Sequence, residues 1–343
     1  MLNFENDYNN GVHPNILENL IKTNDIQSLT YGFDKWSESA KLKIKQICNK
    51  EDLDIFFLCG GTQTNATVID GILQSYEGVI ACEDGHINVH EAGAIEAFGH
   101  KVITLPSRNG KMNIDDLKNY VQVFENDESK DHVAQPGMVY LTFPTEFGTI
   151  YSKKEIEEIY STCKQYNLPL FIDGARLGYG LMSDECDFDL TWLCRNCDCF
   201  YIGGTKIGAL CGEAVVFTHN NAPKKFFSII KRHGALMAKS RLIGIQFDTL
   251  FTDNLYFKIS KHAIIMAHQL KEILIQAGFS FYIQSPTNQQ FIIIPKKKIK
   301  ELKQKIIFTH WIPYDRNSFV CRFVTSWATR QNEIDELRKI LLS

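Results

Sequence analysis

The chain has 343 residues, 44% hydrophobic and 22% charged, which is enough apolar material for a sizeable core and enough length for two domains. Its 37 Lys and Arg against 40 Asp and Glu leave a net charge of −3 with both signs interspersed, which argues against nucleic acid or an anionic membrane as main partner. The longest apolar run, near Asp54 to Cys59, is too short to span a bilayer, and Met1-Leu2-Asn3-Phe4-Glu5 shows neither the basic start nor the apolar core of a signal peptide.

The first ten residues are polar, and Gly11-Val12-His13-Pro14 predicts a turn into a helix from Pro14 to about Ile21. Leu29 to Asp34 is expected as a loop, and Ser37 as the cap of a helix carrying Ala40, Ile44 and Ile47 on one face. Strand and helix then alternate. Apolar runs at Asp54–Cys59, Val79–Cys82, Val102–Leu105, Met138–Phe143, Leu170–Ile172, Cys199–Ile202 and Glu213–Phe217 predict buried strands. Helix-period segments such as Asn65–Gln74, Asp115–Phe124 and Lys153–Tyr166 lie between them. That order predicts an α/β unit with a mostly parallel seven-stranded sheet covered on both faces.

After Thr218 the pattern changes. Helical periodicity runs from about Ala222 through Ala277, broken near Asp253. Short strands are predicted around Phe279–Ile283, Gln290–Ile294, Lys305–Phe308 and Phe319–Phe323, then a last helix over Asn332–Leu341: a smaller α+β domain. The lysine-rich stretch from Pro295 to Lys305 interleaves its charges with Ile299 and Leu302, as a solvated helix face does. Glu125–Gln135 is expected as an exposed loop.

Most of the ten cysteines sit singly in apolar patterns, as small core residues do. Cys194-Arg195-Asn196-Cys197-Asp198-Cys199 is the one cluster, and no matching pair or histidine motif stands nearby to complete a closed zinc site. A reduced, cytoplasmic protein without a metal is expected.

Three constellations carry chemistry. Cys59-Gly60-Gly61-Thr62-Gln63-Thr64-Asn65 follows a strand and opens a helix, where glycines and exposed helix amides suit an anion; the same pattern also serves as a simple turn with an N-cap. Asp84-Gly85-His86-Ile87-Asn88-Val89-His90-Glu91-Ala92-Gly93 follows the second strand, and one of its histidines suits stacking on an aromatic cofactor or moving a proton near neutral pH. The stretch from Phe171 to Ala209 delivers Asp173 and Arg176 at one strand end and Lys206 at the next. A lysine in a tight apolar loop has its amine pKa lowered and is suited to a Schiff base; a neighbouring carboxylate suits a pyridinium nitrogen. Singly, Asp173 and Arg176 read equally as an ion pair and Lys206 as a surface lysine. In order and together they point to pyridoxal phosphate.

With these pieces in place the sequence resembles the threonine aldolases, within the fold-type-I pyridoxal-phosphate enzymes. The resemblance rests on Asn6-Asp7-Tyr8, Gly11-Val12-His13-Pro14, Tyr31-Gly32-Phe33-Asp34, the Gly60 to Asn65 loop, His86-Ile87, Pro144-Thr145-Glu146-Phe147-Gly148-Thr149, Asp173-Gly174-Ala175-Arg176, Thr205-Lys206 and Arg322-Phe323-Val324-Thr325-Ser326-Trp327. It implies that Lys206 forms the Schiff base, Asp173 pairs with the pyridine nitrogen, and Gly60, Gly61 and Thr62 hold the phosphate. It implies that His86 stacks on the ring and leads the candidates for proton transfer, and that Arg176 and Arg322 bind the substrate carboxylate and the cofactor's oxygen side. Asn6 and Tyr31 are expected at the substrate; Asn6-Asp7-Tyr8 stands where many members have Ser-Asp-Thr. The segment 231–239 lacks the usual glycine-rich arginine motif, leaving Lys239 or Arg241 to reach a neighbouring subunit's phosphate.

The implied activity is reversible cleavage of threonine or allo-threonine to glycine and acetaldehyde, by a homotetramer built as a dimer of dimers. The implied division is an N-terminal segment (1–30), a large cofactor-binding domain (31–248) and a small C-terminal domain (249–343). Aminotransferase, β-eliminating lyase and racemase are the rival activities on the same cofactor. A binding protein without turnover and a metal-dependent hydrolase are rivals of other classes.

Overall fold

Each apolar run becomes a strand because β-branched and aromatic side chains fit a pleated, buried surface. The computed structural model describes residues 1–342. After a short β1 (Leu2–Asn3), the large sheet is built from β2 (Asp54–Leu58), β3 (Glu77–Cys82), β4 (Lys101–Leu105), β5 (Gln135–Thr142), β6 (Leu170–Asp173), β7 (Cys199–Gly203) and β8 (Glu213–Phe217). These are the seven predicted runs. Their order across the sheet is β2-β8-β7-β6-β5-β3-β4. The pairs from β7 through β6, β5, β3 and β4 are parallel, while β8 runs antiparallel to both of its neighbours.

Alternation along the strands feeds two cores. Val139, Leu141, Ile172, Phe200, Ile202, Ala214 and Val216 pack on one face. Met138, Tyr140, Phe171, Cys199, Tyr201, Val215 and Phe217 pack on the other. The runs look continuously apolar because both faces are covered by helices. Strand β5 begins earlier than expected: Gln135 and Pro136 pair with Glu77 and Gly78, and their polar or imino character hid the start.

Helix α1 spans Pro14–Thr23 and α2 spans Lys35–Cys48. The cap of α2 is Asp34 rather than Ser37: its carboxylate accepts from the Ser37 amide at 2.9 Å and from the Ser37 hydroxyl at 2.8 Å. A carboxylate three residues earlier reaches the free amide of the first turn, which a serine already inside the helix cannot do. Helix α3 runs Gly61–Ile72, so it starts within the glycine loop. The one-turn helix α4 covers His86–Val89.

The C-terminal part has a four-stranded antiparallel sheet in which β9 (Ser280–Ile283), β10 (Gln289–Pro295), β12 (Thr309–Pro313) and β13 (Ser318–Val324) lie in the order β9-β10-β13-β12. Between them β11 (Ile306–Ile307) pairs in parallel with β1, and Leu2 and Phe4 are buried against Ile306, Phe308 and Phe323. The first residues are thus tied down by two apolar side chains in a polar stretch. Strand β12 has no counterpart among the predicted runs: it is half-exposed and ends in Pro313, so neither period nor composition marks it. The helix Lys296–Leu302 buries Ile299 and Leu302 and leaves its lysines in water.

Among the described residues the ten cysteines are free, and no group of three His, Cys, Asp or Glu is arranged to hold a metal ion. Burial pushes the Cys197 and Cys199 thiols well up, so they stay protonated. Among the described residues no helix is long and apolar enough to cross a membrane.

Candidate functional site

In an open α/β sheet the chemistry gathers beyond the carboxyl ends of the parallel strands, where loops and helix starts converge. Here β3 leads to His86, β5 to Thr142 and Glu146, β6 to Asp173 and β7 to Lys206. Antiparallel β8 brings its first residue, Glu213, to the same edge, opposite Gly203 and Leu58. Gly61, His86, Asp173, Arg176 and Lys206 line one cavity there, with Glu91, Glu146 and Glu213.

Lys206 stands in a tight turn. The amides of Gly204 and Thr205 both donate to the Gly212 carbonyl, at 3.0 and 3.2 Å. Glu213 clamps the same turn, accepting from the Gly204 amide at 3.0 Å and the Thr205 hydroxyl at 2.7 Å. A side chain at Gly203 would lie 2.3 Å from the Ala175 carbonyl oxygen, so the close approach of β6 and β7 loops needs a glycine. Burial, then the Arg176 guanidinium, hold the Lys206 amine down at about 8. Roughly a tenth of the amine is therefore deprotonated at pH 7, far more than for an ordinary lysine, and nucleophilic attack on a carbonyl needs that neutral form.

Asp173 is 1% exposed. Its Oδ2 accepts from the Tyr140 hydroxyl at 2.6 Å and the Asn65 amide at 2.9 Å, and Oδ1 accepts from the Ala175 amide at 2.9 Å. Burial works to raise its pKa, but His86 and the hydroxyl and amide donors outweigh it and hold the carboxyl below its ordinary value. Asn65 also donates to Glu91 Oε1 at 2.8 Å, and that oxygen is 2.8 Å from His86 Nδ1. A bonded chain thus runs from His86 through Glu91 and Asn65 to Asp173.

At the start of α3 the amides of Gly61, Thr62 and Gln63 have no acceptor among the described residues, and no side chain caps the helix. Unpaired first-turn amides are where a phosphate belongs. The donor set therefore fits pyridoxal phosphate: an amine of low pKa, a buried carboxylate kept ionised, and an open anion cradle.

The two arginines differ. Arg176 is already paired, its Nε and one terminal nitrogen donating to Asp7 at 2.7 and 2.9 Å, while Asn288 also donates to Asp7 at 2.9 Å. Arg322 is 7% exposed and among the described residues has no carboxylate partner and an unpartnered Nε; one terminal nitrogen donates to Gln289 Oε1 at 3.0 Å, and its guanidinium sits 4.5 Å from the Trp311 ring centre. Burial, then Arg176, push it down to about 10.

Other predicted residues lie apart. The Asn6 side chain accepts from the Tyr8 amide in a local turn. Tyr31 lines a separate apolar cavity with Phe33, Phe227 and Met237, and Lys231 lies 5.1 Å over its ring. Arg241 folds back to donate to the carbonyls of Thr23 and Ile26, and Lys239 lines a shallow surface beside it. Thr62 contributes its amide to the cradle and Gly60 precedes it, though neither lines the cavity. Sequence reading did not single out Asp7, Asn65, Glu91, Tyr140, Glu146 or Glu213. Asp7, Asn65, Glu91 and Glu146 lay inside quoted motifs, but nothing in a linear sequence pairs Asp7 with Arg176 or Glu213 with Thr205.

An amine, a carboxylate and an anion cradle on these strand ends define an enzyme of the fold-type-I pyridoxal-phosphate class. The solved histidinol-phosphate aminotransferase of Clostridium acetobutylicum shares that fold, with a TM-score of 0.73 at 14% identity over 99% of this chain and 98% of that one. The chain belongs to the beta-eliminating lyase family, whose profile matches residues 18–306. It is similar to the low specificity L-threonine aldolase of Pseudomonas sp., 29% identical over 97% of this chain and 95% of the relative. It is also similar to the solved Leishmania major threonine aldolase, 38% identical with a TM-score of 0.96, covering 100% of this chain and 99% of that one.

Proposed function

We infer that the protein is a pyridoxal-phosphate-dependent threonine aldolase, a carbon–carbon lyase that cleaves threonine or allo-threonine reversibly to glycine and acetaldehyde. The observation that carries this is the facing pair of Lys206 and Asp173, an amine made available and a carboxylate kept charged in one cavity. Full-length likeness to threonine aldolases supports the choice among fates of an amino acid at such a site.

Lys206 would hold the cofactor's aldehyde carbon, Asp173 its ring nitrogen, and the first turn of α3 its phosphate. When bound, the cofactor supplies an electron sink for the bonding pair of the broken Cα–Cβ bond. Asp173, ionised and hydrogen-bonded, keeps a proton on the ring nitrogen. Arg322, lacking an acid of its own, would take the substrate carboxylate by charge-assisted hydrogen bonds and so set the direction of the Cα substituents. Arg176, steadied by Asp7, would serve the cofactor's oxygen side. His86, its Nδ1 engaged by Glu91, would face the ring. A proton acceptor on the cavity wall must take the β-hydroxyl proton.

The protein is further proposed to act in the cytoplasm as a homotetramer. Exposed Leu29, Phe33 and Phe227 cluster near Tyr31 and Lys239, which supports a face covered by a second copy. Sedimentation at micromolar concentration tests the assembly. Incubating the cofactor-loaded protein with L-threonine tests the activity: glycine and acetaldehyde are expected, and a 2-oxo acid with ammonia but no aldehyde overturns it.

A further inference from the structure

Four carboxyl groups line the Lys206 cavity, and in three of them each oxygen is either hydrogen-bonded or sealed from the cavity. Asp173 accepts from Tyr140, Asn65 and Ala175. Glu91 Oε1 is shared by His86 and Asn65, and its other oxygen is sealed from the cavity by burial. Glu213 has one oxygen on the Gly204 amide and the other on the Thr205 hydroxyl. Glu146 differs. Its Oε1 accepts from the His86 amide at 2.8 Å and the Thr142 hydroxyl at 2.7 Å, while Oε2 has no hydrogen-bond partner in any other described residue.

The loop that carries Glu146 is stapled. The Thr145 amide donates to the Thr149 carbonyl at 2.9 Å, the Gly148 amide to the Thr145 carbonyl at 2.8 Å, and the Ser285 and Thr287 hydroxyls donate to the Gly148 carbonyl at 3.1 and 3.0 Å. A proton acceptor on such a loop is preorganised. Glu146 also belongs to two cavities, the one around Lys206 and a larger outer one walled by Phe147, Tyr282 and Trp311. A group leaving the inner cavity for the outer one passes it.

Resting on the aldolase reading above, we propose that Glu146 is the catalytic base at the substrate's β-hydroxyl, and that the aldehyde leaves past it into the outer cavity. The step balances. The hydroxyl proton passes to Oε2 of Glu146, the O–H bonding pair becomes the second C–O bond of the aldehyde, and the Cα–Cβ pair stays with the glycine fragment, which then takes a proton at Cα. Burial raises the Glu146 carboxyl to about 7, against the Thr142 hydroxyl and the His86 charge, so the group exchanges a proton near neutral pH. The titratable groups facing it are His86 of α4, Asp173 of β6, Tyr140 of β5, Cys82 of β3 and Tyr151, with Asp84 and His90 across the outer cavity. Lys206 and Glu213 also line the inner cavity, and burial brings the amine down and the carboxyl up to about 8.

The test compares Glu146→Gln and Glu146→Asp with the parent, all cofactor-loaded, in three measurements. These are the visible absorbance band, exchange of the glycine α-proton with deuterated solvent, and the rate of threonine cleavage against pH. In Glu146→Gln the band and the exchange should persist, since neither involves a β-hydroxyl. Cleavage should fall ~10²–10⁴-fold, and the parent's rise in rate through pH about 7 should vanish. Glu146→Asp should recover part of the rate and keep a rising limb. Equal losses of exchange and cleavage, or cleavage by Glu146→Gln at the parent's rate, overturn the proposal. If Glu146→Gln loses the cofactor, Glu146→Asp decides: a parent-like rate with no change in the pH limb overturns it. A parent protein with no band or no acetaldehyde overturns the aldolase reading instead.

Discussion

Tyr140 and Asp173 stand on adjacent parallel strands and project from the same face of the sheet, and the tyrosine hydroxyl donates to the carboxylate across 2.6 Å. The contact follows from strand period. Thr142 is the register partner of Asp173, and Tyr140, two residues back, shares its face. A hydroxyl placed this way favours the ionised carboxyl, which otherwise pays a large desolvation penalty at this depth.

Tyr140→Phe should therefore destabilise the cofactor-free protein by about 1.5–3 kcal/mol at pH 7, the range for a hydrogen bond to a charged group. The folded-state pKa of Asp173 is lowered, so its contribution is present above the ordinary carboxylate value and is lost as pH falls through the lowered one. The gap between parent and variant should accordingly narrow below pH about 4. Urea titrations at several pH values measure it; a gap independent of pH removes the electrostatic account.

Lys206→Ala should abolish the visible absorbance band and any borohydride-stable label. The same change should stabilise the cofactor-free protein at pH 7, because the folded amine titrates at about 8, below its unfolded value. For a base with a depressed pKa, the penalty is complete below the folded value and disappears as pH rises past the unfolded one. Melting temperatures of the two cofactor-free proteins should thus converge between pH about 8 and about 10.5.

Arg322→Ala should leave the absorbance band in place and weaken threonine binding. Truncating one side of a buried, hydrogen-bonded charge pair costs about 2–5 kcal/mol, so KM should rise by at least ~30-fold. Loss of the band with KM unchanged would move this arginine to the cofactor.

Asp7→Ala strands the Arg176 guanidinium without its acid. Breaking a buried pair from one side destabilises by about 3–5 kcal/mol. Asp7→Asn, which keeps an oxygen acceptor in place, should lose less. Equilibrium unfolding compares them; equal and negligible losses would show that solvent replaces the carboxylate freely.

The amino-acid sequence by itself determined the seven strands of the large sheet, because stretches such as Val79–Cys82 and Cys199–Ile202 are apolar on every residue and have nowhere to go but a doubly covered sheet. It also marked Lys206, Asp173, His86 and the glycine loop, since each follows a strand and parallel strands deliver their ends to one edge. It left β12 unseen, whose residues are half in water, and the docking of Leu2 and Phe4, which depends on a partner strand some three hundred positions away.

Only the tertiary structure decided which acid meets which base. Asp7 meets Arg176, Glu213 meets Thr205, Glu91 meets His86, and among the described residues Glu146 alone of the four cavity acids keeps an oxygen free of protein donors and open to the cavity. The physical reason is that a carboxyl's charge, direction and partners are set by desolvation and by donors brought from distant segments. Period and composition record only that a side chain is apolar or not. They are therefore informative about strands and nearly silent about which of many acidic residues is buried, paired or free to take a proton.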